Sequence, residues 1–364
     1  MRIVIFSHNY PPKRNPRSFR IQNLEQSGFF GKDYLIISNS KRQASQSIRF
    51  NDNLFNKKWN ANKLKFIANL KNWIRYNQFG NFLSKCIIPD RFVFIQIYYL
   101  VLYLVKYRKA DDLIYTVSNP FSSHLIGIVL QKYFKHEWHA DIGDVYFSAI
   151  TANWSIHKTI ERKVLVSANR IILNSESIRN HFIKIYSIAE KKTQIIPNGV
   201  SIKFENSSHI PSPILRFSYI GNTYHPVRPA MLEADFILRY FNLHPDRAMV
   251  LQLFGNQSPE LIKLAVRNPH LLKISTCNSD SDLLEAYSKT DILINFANVS
   301  NPGLPSKLEE YVQCGRPVLN FIYSENDASF EYLNSQKMMC LHINLSILDE
   351  HSFEKVERFI STYY

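Results

Sequence analysis

The residues best placed to do chemistry lie in Asn301-Pro-Gly-Leu-Pro-Ser-Lys-Leu-Glu-Glu-Tyr-Val-Gln-Cys-Gly-Arg-Pro-Val318. A loop holding Pro302, Gly303 and Pro305 runs into a helix predicted over 306–314. Ser306 and Glu309 have the spacing of a capping box, and Gly315 stops the helix before a strand at 317–321. A helix N-terminus carries about half a positive charge and free N–H donors, so a diphosphate is a natural ligand, with Lys307 as an added point charge. Glu309 reads as a cap. Glu310 points about 100° further round the helix, where a carboxylate can accept two hydrogen bonds from a ribose diol. Its ordinary alternative is a solvated surface glutamate.

A second candidate is Phe217-Ser-Tyr-Ile-Gly-Asn-Thr-Tyr-His-Pro-Val-Arg-Pro229. Gly221 ends a strand where backbone passes close to a ligand, and Arg228 stands at the start of the next helix. A guanidinium there neutralises phosphate oxygens as a leaving group departs; the alternative is an exposed arginine.

Short apolar strands must position these residues. They are predicted at 2–7, 34–38, 113–117, 138–140, 170–173 and 194–196, then at 216–220, 248–254, 272–275, 292–296 and 317–321, with helical patterns between them. The reading is α/β, two Rossmann-like domains in tandem: 1–200 and 201–364, with a last helix that packs back on the first domain. Residues 201–213, polar and with two prolines, form the hinge. In parallel sheets ligands sit beyond the carboxyl ends of the strands, so the two sheets are expected to face each other across a cleft.

Length and composition agree. The chain has 364 residues, 45% apolar and 20% charged, too long for one core and too apolar for disorder. Its four cysteines are scattered, with no metal or disulfide spacing, and read as reduced thiols. No targeting segment opens the chain, and the longest apolar run, 92–105, is shorter than a bilayer span, so it reads as a buried or interfacial helix.

Charge is uneven: residues 1–200 hold 30 Lys and Arg against 12 Asp and Glu, while residues 201–364 hold 14 against 18. The basic residues of 41–110 are interleaved with aromatics, among them Trp59, Phe66 and Trp73. A solvated basic face, a nucleic-acid surface and an anionic membrane surface all fit that composition. The absence of helix-turn-helix, zinc-finger or RNP patterns, and the spacing of Trp59, Lys63, Lys65, Phe66, Leu70, Lys71 and Trp73, favour the membrane and no nucleic acid.

The order of Ser306-Lys-Leu-Glu-Glu-Tyr311, Gly315-Arg-Pro-Val318 and Ser288-Lys-Thr-Asp-Ile-Leu-Ile294 resembles the C-terminal signature of the retaining GT-B glycosyltransferases of family 4. Arg2–Pro12, Ser118–His124, Trp138–Asp144, Asn174–Glu176, Ile196–Val200 and Tyr219–Asn222 agree with it in order and spacing along nearly the whole chain. The resemblance implies a nucleotide-sugar donor, such as a UDP-sugar, bound mainly by the C-terminal domain, and an acceptor bound mainly by the N-terminal one.

Glu310 then matches the second acid of the family's E-x7-E motif, which holds the donor's ribose. The first acid falls on Pro302, so the usual acidic contact to the sugar is absent, leaving backbone N–H groups of Gly303 and Leu304 for donor phosphate or hydroxyls. Arg228 and Lys307 match positions that hold the diphosphate, and Gly221 and Asn222 complete the donor set. Asp141, Asp144 and Arg228 are the catalytic candidates. Either aspartate steadies charge on the sugar or orients the acceptor hydroxyl, with an Asx-turn or a helix cap as the ordinary alternative. Where relatives place glycines, this chain has Pro12-Lys-Arg-Asn-Pro-Arg-Ser-Phe-Arg20. Arg17, Arg20 and His124 are therefore the acceptor or phosphate candidates, with His8 and His139 secondary.

The implied function is transfer of a sugar, with retention, to a lipid-linked or oligosaccharide acceptor in surface-polysaccharide assembly. It would take place on the cytoplasmic face of the membrane, without a cofactor or metal. A sugar-nucleotide epimerase of the same fold and a non-catalytic polyanion- or membrane-binding protein are the alternatives.

Overall fold

The computed structural model describes residues 1–11, 15–38, 47–49, 89, 90, 92–149, 155–200, 202, 204, 210, 212–225, 227–299 and 303–363. The basic segment read as a membrane surface, including Trp59, Phe66 and Trp73, lies almost wholly outside them, as do Pro302 and residues 12–14. The chain divides into two compact units, Met1–Gly199 and Val200–Tyr364.

In the first unit the elements run β1 (Ile3–Phe6), α1 (Pro16–Gln26), β2 (Tyr34–Ser38), β3 (Ser47–Arg49), α2 (Val93–Leu102), β4 (Leu113–Val117), α3 (Ser123–Phe134), β5 (Trp138–Ile142), α4 (Tyr146–Ala149), α5 (Ser155–Ser167), β6 (Arg170–Leu173), α6 (Glu176–Tyr186) and β7 (Thr193–Ile195). The seven strands pair in parallel in the order β3-β2-β1-β4-β5-β6-β7. Alternate residues serve opposite faces: Val4 and Phe6 enter one core, Ile5 the other. Burial on both faces is why these strands read as unbroken apolar runs.

The second unit repeats the scheme with β8 (Leu215–Ile220), α7 (Met231–Leu243), β9 (Met249–Phe254), α8 (Pro259–Arg267), β10 (Leu272–Ser275), α9 (Asp280–Ser288), β11 (Ile292–Asn295), α10 (Lys307–Cys314), β12 (Val318–Ile322), α11 (Ala328–Ser335), β13 (Cys340–Asn344) and α12 (Glu350–Tyr363). Its six parallel strands lie in the order β10-β9-β8-β11-β12-β13. α12 buries Val356 and Ile360 in this unit's own core.

Strand order reverses between β1 and β4 in the first sheet and between β8 and β11 in the second. The carboxyl ends of those strand pairs are where open α/β sheets hold ligands. Two strands were not foreseen. β3 is three residues in a polar stretch, and β13 carries Cys340, His342 and Asn344 at the sheet's edge, where burial on both faces is not needed.

The apolar run at 92–105 forms α2 and a π-helical turn, Tyr103–Tyr107. Gln96, Tyr99 and Tyr103 face inward, while Phe94, Ile97, Val101 and Val105 are exposed on one stripe. Among the described residues no helix is long and apolar enough to cross a membrane.

Candidate functional site

At the reversal point of the second sheet, β8 ends in Ile220 and the chain turns through Gly221. Gly255, after β9, sits so close that a Cβ on it would lie 2.8 Å from the Gly221 carbonyl oxygen, and its φ of +113° suits glycine alone. The two turns are locked together. The Asn256 N–H donates to Asn222 Oδ1 (2.8 Å), and Gln257 Nε2 donates to the carbonyls of Gly221 and Gly255 (3.1 Å each). The Asn222 side chain, read as a donor contact, is therefore a brace between loops.

Tyr224 and Arg228 close a tight turn through two backbone hydrogen bonds, so Arg228 stands three residues ahead of α7 rather than at its start. The turn buries its guanidinium. Nη1 donates to Tyr219 Oη (3.1 Å) and to the Asn222 carbonyl (3.4 Å), and Nη2 to Asn298 Oδ1 (2.6 Å). Asn298 in turn donates to the Gly303 carbonyl (3.1 Å), tying the segment after β11 to the loop that leads into α10.

Lys307 opens α10 and is 8% exposed. Its Nζ lies over the Tyr219 ring, 3.6 Å from the centroid, and makes no hydrogen bond among the described residues. Burial, then the charge of Arg228, hold this ammonium well below the usual lysine range, with Glu310 opposing. Neither Arg228 nor Lys307 has a carboxylate at ion-pair distance among the described residues. Both side chains are thus buried on neutral direct partners, with Glu310 and Glu233 the nearby acids, and an incoming anion would favour the charged form of Lys307.

The capping box foreseen at Ser306 and Glu309 is absent. Ser306 has helical dihedrals and makes no side-chain cap, while Ser279 and Asp282 form a true capping box on α9. Glu310 is half-buried, and its Oε2 accepts from the hydroxyl of fully buried Tyr287 (2.7 Å). Leu304 packs its side chain against the core beneath α10.

Tyr219, Asn298, Tyr287 and Glu233 were missed. Tyr219 had a signal, since a polar-tipped aromatic two residues before the strand-ending Gly221 must send its hydroxyl to that end. Glu233 had none. It sits buried in the first turn of α7, its carboxyl pushed up to about 7 by burial, with the Ala297 backbone N–H and Arg228 opposing.

In the first unit three expected site residues prove to be structural. Asp141, at the end of β5, is fully buried. Both its oxygens accept from Arg20 Nε (2.9 and 2.8 Å), and Oδ2 also from Tyr115 (2.7 Å). Arg20 spends Nη1 on the carbonyls of Ile196 and Pro197 (2.7 and 2.9 Å). The pair staples α1 to β5 and to the segment after β7, and neither side chain reaches solvent.

His124 is also fully buried. Its Nδ1 pairs with Thr116 Oγ1 (2.8 Å), which also accepts from Trp138 Nε1 (2.8 Å). Burial pushes its pKa down to about 3. His139 lies near the amino end of β5, paired with Glu137 (2.9 Å) away from the ligand-binding edge.

Asp144 and Arg17 do reach that edge. Arg17 Nη2 donates to Asp144 Oδ2 (2.6 Å), and the Asp144 side chain is 44% exposed. They line a cavity of about 480 Å³ at the β1/β4 reversal point, together with His8, Asn9, Asn119 and Phe92. A larger cavity of about 670 Å³ in the second unit includes Leu215, Met249 and Asp291, at the amino ends of the strands, the wrong edge for the fold's ligands.

No protein-family model matches the chain, and no curated protein matches it in sequence. Solved structures do. A trehalose-6-phosphate protein of E. coli bound with UDP-2-fluoro glucose is 12% identical, with a TM-score of 0.63 over 99% of this chain and 91% of that one. HepE of Anabaena in complex with UDP-glucose is 12% identical, TM-score 0.57, over 99% and 89%. WaaG, a glycosyltransferase involved in lipopolysaccharide biosynthesis, is 12% identical, TM-score 0.56, over 99% and 90%. With two parallel sheets of matching order and likeness along its whole length, the chain has the GT-B fold of two Rossmann-like domains.

Proposed function

We propose that this protein is a glycosyltransferase of the retaining, family 4 kind. It moves a sugar from a nucleotide-sugar donor on the second unit to a lipid-linked or oligosaccharide acceptor held by the first, in surface-polysaccharide assembly. The observation that carries the reading is the buried Arg228 guanidinium beside the buried Lys307 amine at the reversal point of the second sheet, whose direct partners among the described residues are neutral. A nucleoside diphosphate supplies an anion for both, and in this reading Glu310 takes the ribose. UDP is the first nucleotide to try, since the E. coli and Anabaena structures hold UDP-sugars.

In this mechanism the chain supplies no nucleophile. The acceptor hydroxyl attacks on the side from which the diphosphate leaves, and the departing phosphate takes its proton. Arg228 and Lys307 neutralise the charge that develops there, and Asp144 orients the acceptor. No metal is needed in this scheme, since the two side chains do the neutralising. An epimerase of the same fold would use the same cations, but only a transferase requires a separate acceptor.

Thermal shift with UDP, GDP and sugar nucleotides tests the reading. One nucleoside diphosphate is expected to raise the melting temperature of the second unit, and no shift with any of them would refute it. Release of the nucleoside diphosphate only in the presence of an acceptor-containing lipid extract would then separate transferase from epimerase.

Membrane attachment belongs to the same proposal. The stripe of Phe94, Ile97, Val101 and Val105, beside Lys106, Arg108 and Lys109, suits an interfacial helix on anionic lipid. Sedimentation with phosphatidylglycerol vesicles, but not with phosphatidylcholine alone, is the expected result. Phe94→Ser with Val105→Ser should reduce it several-fold, and retention unchanged by these substitutions would remove α2 from the contact.

A further inference from the structure

We propose that the cavity at the head of α1 is a phosphoryl-binding site in which Arg17 grips a phosphate carried by the acceptor. The proposal rests on the transferase reading only in calling that ligand the acceptor.

α1 carries two buried arginines three residues apart, and they are built differently. Arg20 is held by a carboxylate and two carbonyls. Arg17 is 5% exposed, yet among the described residues its one ion pair is through Nη2 to Asp144, and its Nε and Nη1 have no hydrogen-bond partner. A guanidinium presents five N–H donors in a plane, and leaving several of them buried and unmet is costly unless a ligand meets them. The first unit thus commits one arginine to structure and leaves the other with unmet buried donors on a side chain that lines a cavity.

The guanidinium is held in place. It lies against the backbone of Gly143, where a Cβ would come within 1.7 Å of Nη1 and 2.0 Å of Nη2. Around it are Asn9, Asn119, His8 and Phe92, and the Asn15 side chain caps the first turn of α1 by accepting from the Ser18 N–H (2.9 Å). The cavity of about 480 Å³ has room for a sugar as well as a phosphoryl group.

Phosphate fits better than a neutral sugar because its oxygens match the planar fork. Asp144 is the resident anion, so it competes with the ligand. The same phosphoryl chemistry occurs on a soluble sugar phosphate and on a polyprenyl phosphate in a membrane.

Binding to the full-length protein decides the matter. The probes are glucose 6-phosphate, glucose as its neutral match, and phosphatidylcholine vesicles with and without polyprenyl phosphate. One phosphoryl probe is expected to bind and glucose is not; which probe binds identifies the source. Arg17→Gln should weaken that binding by about tenfold or more, and Asp144→Asn should strengthen it a few-fold by removing the competing carboxylate. Nucleoside diphosphate affinity should stay unchanged in both variants. Binding of neither phosphoryl probe, or wild-type affinity in Arg17→Gln, would overturn the proposal. If Arg17→Gln does not fold, unchanged or weaker binding in Asp144→Asn overturns it instead. Failure of the transferase reading has a different signature: phosphoryl binding persists while no nucleotide binds.

Discussion

Arg20→Ala is expected to destabilise the first unit by about 3–5 kcal/mol, the cost of stranding one member of a fully buried ion pair. For a unit of this size that corresponds to a melting temperature lower by about 6–20 °C. The reason is accumulation at one point. The guanidinium meets both oxygens of Asp141 and two consecutive carbonyls, at Ile196 and Pro197, so its removal leaves a buried carboxylate and two buried acceptors unmet. Among the described residues, only the Tyr115 hydroxyl then remains on the Asp141 carboxylate. Asp141→Asn, which keeps the shape and an acceptor, should cost less than Arg20→Ala. Thermal melts and urea titrations followed by tryptophan fluorescence measure both. A loss under about 1 kcal/mol for Arg20→Ala would return both residues to the list of ligand contacts.

Arg228→Ala is expected to reduce nucleoside diphosphate affinity by about 10–100-fold, the range for a lost charge-assisted hydrogen bond of about 1.5–3 kcal/mol. Unliganded stability should change far less. Truncation strands the Asn298 Oδ1 acceptor, but it also removes the like charge that depresses the Lys307 ammonium. Glu310→Ala makes a useful companion. It should weaken nucleotide binding by about tenfold without unfolding the protein, through lost contacts to neutral hydroxyls. The two losses therefore differ in salt dependence: the Arg228 contribution shrinks as ionic strength rises, and the Glu310 contribution does not. Calorimetric titration at two salt concentrations checks this. Unchanged affinity in either variant removes that residue from the site.

Much of the fold was legible because parallel strands buried on both faces leave unbroken apolar runs. The predicted strands at 34–38, 113–117, 170–173 and 272–275 coincide with β2, β4, β6 and β10. β3 and β13 escaped because edge strands do not need that pattern. The donor-side cluster was legible in part. Arg228, Lys307 and Glu310 stand next to strand-ending turns, and the segments that carry them end at one edge of one sheet. Burial was not legible, and it inverted several assignments. Asp141, Arg20 and His124 have the residue types of a reactive centre, and only tertiary contacts reveal that Tyr115, Thr116, Trp138 and two carbonyls already use them. The capping box failed for a local reason. Ser306 adopts helical dihedrals after Pro305, so its hydroxyl cannot turn back on the helix, and the spacing of Ser306 and Glu309 cannot convey that.

Gly143 has a wider implication. Its missing side chain is the floor on which the Arg17 guanidinium rests, so the identities of positions 17 and 143 form a single decision. Any larger residue at 143 evicts the arginine, and a chain that dispensed with the arginine would be free to fill the floor. Variation at either position is thus informative about the other, though 126 residues of sequence separate them.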